Sequence, residues 1–327
     1  MAALAVLGAG AWGTALAAVL CARHRVTLWA RDPAQARSIA TQRRNVRYLP
    51  EIALPESLAV SHDLEKAVSG AELLLAATPV AGLRDLCARL GGTKTPLVWL
   101  CKGFEEGTGF LPHQIVDEVL QPGAPCGALS GPSFALEVAR QLPCALTLAA
   151  RDGAFARSSA QLVHGGRLRV YFSTDLIGVE VGGAVKNVMA IAAGISDGLG
   201  LGQNARAALI TRGLAEITRL GVALGGSGET LMGLAGAGDL ILTATGELSR
   251  NRRVGLELAR GRALGEILAG LGHVAEGARS AREVAKLAAC HGIEMPVSDA
   301  VNAVLEARLT PQQAVEQLLA RDPRSES

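Results

Sequence analysis

Aromatic side chains are scarce in this 327-residue chain: three Trp, two Tyr and five Phe, 3% of the whole. So few rings leave no platform on which successive bases could stack. Excess charge is also missing, because 32 basic residues face 30 acidic ones for a net +2, and the basic ones do not gather in blocks. Without that electrostatic footprint, nucleic acid is not an expected partner. The six cysteines (Cys21, Cys87, Cys101, Cys126, Cys144, Cys290) form no CxxC pair and no metal-type spacing with histidine. They read as small buried hydrophobes in a reducing, cytoplasmic setting, and no metal is expected. Lysine is rare too, at five positions (Lys66, Lys94, Lys102, Lys186, Lys286), so arginine serves the solvated faces and each lysine stands out from that background.

Residues 1–22, "MAALAVLGAGAWGTALAAVLCA", lack charge altogether and exceed the length of a membrane span. No lysine or arginine precedes the apolar run as in a signal peptide, and glycines at 8, 10 and 13 break it into a short piece and a helical piece. Membrane insertion is therefore not expected.

What is present is ordinary core material, 49% hydrophobic and 19% charged, over a length that suits two domains. Short apolar runs alternate with helical patterns through roughly the first half. The expected strands are 4–7, 25–29, 72–77, 96–100, 127–129, 145–149 and 168–171, with helices at 33–43, 80–90, 111–119 and 154–163 between them. Runs such as "ELLLAA" show no polar alternation, as in parallel strands covered on both faces. Beyond residue 176 the 3.6-residue period takes over, near 180–195, 205–223, 253–270, 276–291, 296–307 and 311–320. The expected architecture is an α/β Rossmann-type doubly wound sheet over residues 1–177 followed by an all-helical domain over 178–327.

Gly8, Gly10 and Gly13 form GxGxxG directly after the first strand and at the start of a helix. Glycines so placed let the backbone approach a pyrophosphate that rests on helix N-terminal amides. The second strand ends in "LWARDP". There an acidic residue would receive a ribose 2′-hydroxyl and a basic one would meet a 2′-phosphate. Arg31 favours NADP without excluding NAD, while Asp32 reads equally well as the cap of the helix begun by Pro33.

Other stretches are open to two readings each. Lys102 in "VWLCKGFE" lies past the carboxyl end of a strand, either at a ligand or in a solvated loop. In "LSGPSFALEVA", Ser133 either offers a hydroxyl to an anion or caps the helix that follows. "MGLAGAGDLILT" is glycine-rich where a helical domain should be regular, and isolates Asp239 before an apolar run. "SRNRR" supplies Arg250, Asn251, Arg252 and Arg253, suited to a phosphate or simply to water at a helix start. Within residues 181–196, "VGGAVKNVMAIAAGIS", the only charge is Lys186. An ammonium there must be paired, neutralised, snorkelled to the surface or met by a ligand.

The blocks "GAGAWGTAL", "KGFE", "SGPSFALEVA", "GGAVKNVMAIAAGISDGLGLGQNARAALITRGLAE", "GLAGAGDLILT", "SRNRR" and "VAEG" occur in order across nearly the whole chain. Together they resemble bacterial NAD(P)-dependent glycerol-3-phosphate dehydrogenase. The resemblance implies reversible reduction of dihydroxyacetone phosphate to sn-glycerol 3-phosphate, supplying glycerophospholipid synthesis, by a cytoplasmic homodimer. It implies Lys186 as the catalytic proton donor and acceptor, with substrate held by Lys102, Gly131, Ser133, Lys186, Asp239, Ser249, Arg250 and Asn251, and Asp239 pairing either with Lys186 or with the substrate hydroxyls. The implied cofactor contacts, to NADP or NAD, are Gly8, Gly10, Ala11, Trp12, Gly13, Arg31, Lys102, Ala135, Arg250, Val274 and Glu276. Ala11 replaces a serine common in the family, so only its backbone amide serves. Relatives that also join a Rossmann domain to a lysine-bearing helical domain, such as 3-hydroxyisobutyrate and 6-phosphogluconate dehydrogenases, lack "SRNRR" and "GLAGAGDL". A non-catalytic nicotinamide sensor would have no use for a phosphate clamp.

Overall fold

A computed structural model describes residues 1–120, 124–271 and 275–321. The chain divides into two compact units, the first made of Met1–Lys102 with Phe110–Glu180 and the second of Gly103–Gly109 with Val181–Ser327.

In the first unit the strands are β1 (Ala3–Leu7), β2 (Arg25–Trp29), β3 (Arg44–Asn45), β4 (Leu49–Ala53), β5 (Ala59–Ser61), β6 (Leu73–Ala76), β7 (Leu97–Trp99), β8 (Cys126–Ser130), β9 (Cys144–Ala149) and β10 (Leu168–Ser173). Eight of them form one sheet in the order β10-β9-β8-β7-β6-β1-β2-β5, while β3 and β4 make a separate ribbon. Pairing is parallel throughout the large sheet except between β8 and β9, which run antiparallel. The order reverses beside β1, so a crevice opens past the carboxyl ends of β1 and β6, where such sheets receive ligands. β6 is buried at every position, as its unbroken apolar run requires. Leu4, Val6, Leu16, Leu20, Leu28, Leu73 and Leu75 fill one core between sheet and helices.

Three features of this unit differ from the sequence expectation. The sheet gains β5 and the unit gains the separate ribbon, and these two-to-five-residue strands carry too little apolar pattern to register as strands. The β8/β9 antiparallel pair leaves the sheet mixed. Among the cysteines, none of them in a disulfide, only Cys87 is fully buried, and Cys290, in the second unit, is exposed. Burial pushes the Cys87 thiol up to about 12, which makes it inert as a nucleophile.

The second unit is helical: Leu176–Gly198, which enters from the first unit, then Gly202–Ala223, Gly228–Met232, Asp239–Thr245, Arg250–Ala259, Leu264–Leu271, Glu276–Cys290, Pro296–Leu305 and Pro311–Leu319. The single helix expected over 253–270 is two, because the chain turns through Gly261 at φ +79° after the first of them. Leu176–Gly198 is long and apolar enough to cross a membrane by length and composition, but it is almost wholly buried within the protein. Residues 1–22 supply β1 and helix Ala11–Leu20.

Candidate active site

In the first unit the three motif glycines answer to different physical demands. Gly8 turns at φ +128°, and a Cβ there would lie 2.7 Å from the Ala77 carbonyl oxygen. A Cβ on Gly13 would fall 2.0 Å from the Gly8 oxygen, so both are needed by the fold itself. Gly10 differs: a Cβ would meet nothing within 4 Å. Its bareness leaves room for something that is not protein, at the N-terminus of helix Ala11–Leu20, whose first turn carries no side-chain cap and no acidic residue. The amides of Ala11, Trp12 and Gly13 lie in that turn, and an anion there is favoured by the helix dipole. The donor set fits a dinucleotide pyrophosphate.

The loop is braced from below. The Ala9 carbonyl accepts from Gln35 Nε2 at 2.8 Å and from Asn45 Nδ2 at 3.0 Å, and Asn45 Nδ2 also reaches Thr14 Oγ1 at 2.8 Å. Asn45 is buried, yet its sequence surroundings carry no signal for this role. Trp12 and Ala11 pack with Ala135 around the small cluster of Ala15, Leu49 and Val138, which brings three of the expected cofactor residues together. Arg31 is exposed at the end of β2. Asp32 is engaged as a cap, accepting from Ala34 N at 2.8 Å.

Lys102, Gly131 and Ser133 also converge. Lys102 Nζ donates to the Gly131 carbonyl at 3.0 Å and Ser133 Oγ donates to the same oxygen at 3.1 Å. The capping role open to Ser133 is not the one it takes, since the helix begins at Ala135 with Phe134 as its cap residue.

In the second unit, Lys186 is 6% exposed and ion-paired to Asp239, which is 1% exposed. Its Nζ also donates to Thr243 Oγ1 at 2.9 Å, and that hydroxyl donates to the Asp239 carbonyl at 2.6 Å. Of the options for a lone ammonium in an apolar helix, pairing is the one realised. Close approach of backbones makes it possible: a Cβ on Gly182 would sit 2.7 Å from the Ala235 oxygen, and one on Gly236 only 1.9 Å from the Leu231 oxygen. The glycine-rich stretch is therefore not irregular chain but a π-helical turn, Leu234–Gly238, that delivers Asp239 at the head of the next helix. Thr243 escaped the sequence reading. Its signal was the four-residue spacing from Asp239, which puts both on one helix face.

Beside this pair, Asn251 Nδ2 donates to Asn187 Oδ1 at 2.9 Å, and Asn251 Oδ1 accepts from Gly277 N at 3.1 Å. Asn187 thus serves a buried contact, and Glu276 opens the helix whose second residue, Gly277, closes the chain of bonds. Ser249, buried, caps helix Arg250–Ala259 by accepting from Arg252 N at 3.2 Å. The "SRNRR" cations part company. Arg252 is held by Asp197 with Nη2 at 2.6 Å and Nε at 2.8 Å, whereas Arg250 and Arg253 are exposed and, among the described residues, form no ion pair. Val274 lies outside the described residues. No cluster of three potential metal ligands occurs among the described residues.

Comparison with known proteins decides the family. The models described as NAD-dependent glycerol-3-phosphate dehydrogenase N-terminus and C-terminus match residues 3–156 and 175–316. This chain belongs to the NAD-dependent glycerol-3-phosphate dehydrogenase family. Within that family it is 62% identical to the glycerol-3-phosphate dehydrogenase [NAD(P)+] of Dechloromonas aromatica over 325 residues, covering 99% of each chain. A crystal structure of glycerol-3-phosphate dehydrogenase from Coxiella burnetii superposes with a TM-score of 0.92 at 43% identity, covering 98% of this chain and 99% of that one. The yeast glycerol-3-phosphate dehydrogenase structure gives 0.82 at 29% identity, covering 96% and 98%. The family is one of NAD(P)-dependent oxidoreductases with a Rossmann domain.

Proposed function

We propose that the chain reduces dihydroxyacetone phosphate to sn-glycerol 3-phosphate reversibly with NAD(P)H, in the direction that supplies glycerophospholipid synthesis. The observation that carries this reading is the buried Lys186–Asp239–Thr243 triad, in which Lys186 on the apolar core helix is held by two residues of helix Asp239–Thr245. When bound, the nicotinamide supplies the hydride that adds to the ketone carbon. Lys186 gives its proton to the ketone oxygen as that charge develops, and recovers one from solvent afterwards. Asp239 and Thr243 hold Nζ in one direction, so the proton it gives is aimed rather than averaged over rotamers.

The helix Ala11–Leu20 amides with Gly10 hold the pyrophosphate, Arg31 the ribose side, and Ala135 and Trp12 line the approach. Lys102 with the Gly131 and Ser133 turn, Asn251, and Ser249 with Arg250 at their helix start hold the substrate, the exposed guanidinium meeting the phosphate dianion. Residues 1–177 and 178–327 are read as the cofactor and substrate domains. A homodimer in the cytoplasm completes the reading; exposed apolar side chains at Met232, Ile241 and Leu248 support the homodimer.

The test is oxidation of NADPH and NADH by dihydroxyacetone phosphate with wild type and Lys186→Ala. The variant is expected to bind cofactor unchanged and to lose about 10²–10⁴-fold in kcat, the usual range for a general acid. Turnover near wild type removes Lys186 from the mechanism.

A further inference from the structure

Two helices of the second unit cross with almost nothing between them. A Cβ built on Gly194 would lie 2.0 Å from the Arg252 carbonyl oxygen, and one on Gly255 2.1 Å from the Ile191 oxygen. One turn further on, a Cβ on Gly198 would meet Ala259 Cβ at 2.5 Å and the Leu256 oxygen at 3.2 Å. Helix Leu176–Gly198 therefore rests on helix Arg250–Ala259 backbone to backbone, at a separation that no side chain permits.

The same two helices are locked at both ends of this crossing. On one side Asn251 Nδ2 reaches Asn187 Oδ1 at 2.9 Å. On the other, Asp197 Oδ2 receives both Arg252 Nε at 2.8 Å and Arg252 Nη2 at 2.6 Å, while Asp197 Oδ1 takes Arg206 Nε at 3.3 Å. Asn187 is the neighbour of Lys186, and Asn251 and Arg252 follow Arg250. The crossing thus fixes the frame of the proton donor against the frame of the exposed arginine in a single rigid piece.

We infer that the Gly194/Gly198–Gly255 crossing is the specificity ruler of this enzyme, setting the span between the proton donated by Lys186 and the phosphate received at Arg250, and so selecting a ketone with one methylene before its phosphate. The inference rests on the function proposed above. It assigns to three glycines that touch no ligand a positioning role. Adding a methyl at Gly194 forces the helices apart by about 1 Å, the difference between 2.0 Å and the closest approach a real Cβ tolerates. A misplacement on the order of 1 Å is enough to cost about 10²-fold in rate.

The experiment compares kcat/KM for the phosphonate isostere of dihydroxyacetone phosphate with that for its homologue carrying one further methylene, in wild type, Gly194→Ala and Gly198→Ala, with folding followed by circular dichroism. Gly194→Ala is expected to lose about 10²-fold on the short ketone and to shift the short-to-long ratio about tenfold towards the longer one. Gly198→Ala, whose clash is with a side-chain methyl, is expected to shift the ratio in the same direction by less, and decides the matter if Gly194→Ala does not fold. Equal losses on both ketones, leaving the ratio unmoved, mean the crossing is merely structural and overturn the inference. A wild type that reduces neither phosphonate nor dihydroxyacetone phosphate overturns the proposed function itself.

Discussion

Charge placement at single residues decides the chemistry. Lys186 is a cation in a helix otherwise free of charge from Val181 to Ser196, held by one carboxylate and one hydroxyl, both from helix Asp239–Thr245. Because the ammonium is buried against that carboxylate, removing Asp239 would leave it without its counter-ion, a loss worth several kcal/mol. We propose Arg31 as the corresponding residue for cofactor choice. It is exposed and leaves Asp32 to cap the helix, so its guanidinium is available to a 2′-phosphate. Arg31→Ala is expected to raise KM for NADPH more than for NADH, measured by initial rates with each cofactor. Equal losses end the argument for 2′-phosphate recognition.

Elements show how one residue type serves different ends. Gly10, at the N-cap of helix Ala11–Leu20, and Gly13, in its first turn, are three residues apart, yet only Gly13 is demanded by packing. Gly13→Ala is expected to lower the melting temperature sharply, because the methyl lands on the Gly8 carbonyl at 2.0 Å. Gly10→Ala is expected to leave melting close to wild type, since its methyl meets nothing within 4 Å, while weakening cofactor binding if the pyrophosphate sits there as proposed. Calorimetric melting and fluorescence titration with NADPH separate the two. Equal melting losses for both variants would show that Gly10, too, is only structural. At the same scale, the π-helical turn Leu234–Gly238 explains glycines that sequence reading could only flag as misplaced. Its period is neither that of helix nor strand, so no pattern search tuned to those two finds it.

For the molecule as a whole, two buried carboxyls tie stability to pH. Burial pushes Glu216 above the ordinary glutamate range, against the pull of hydrogen bonds from Val297 N at 2.6 Å, Ser298 N at 3.1 Å and Ser298 Oγ at 2.9 Å. Burial raises Glu180 as well, opposed first by His113 and then by Trp99. A raised folded-state pKa means the native chain binds that proton more tightly than the unfolded chain. The contribution is then fully present below the unfolded value and is lost as pH climbs through the folded one. Urea midpoints are expected to fall over that rising interval, with Glu216→Gln reducing the slope. Glu216→Gln is also expected to cost about 1–3 kcal/mol near neutral pH, because an amide NH₂ would face a backbone N–H that the carboxylate now accepts. A midpoint slope unchanged in the variant would show that Glu216 does not titrate differently in the two states.

The sequence by itself determined which segments become strands and helices wherever periodicity was long, the glycine turn after β1, and the family, because seven ordered blocks constrain far more than any one motif. The first two of those properties are local, set by steric rules within a few residues. Most partners were beyond it: the resemblance offered Asp239 to Lys186 or to the substrate without choosing, and nothing in linear order showed that Thr243 joins them, that Asn45 braces Ala9, that Ser133 turns to Gly131 rather than to a helix, or that two helices touch through bare glycines. Each of those contacts, Ser133 apart, joins residues dozens of positions apart in the chain, and only the folded packing chooses among the many partners that linear order leaves available.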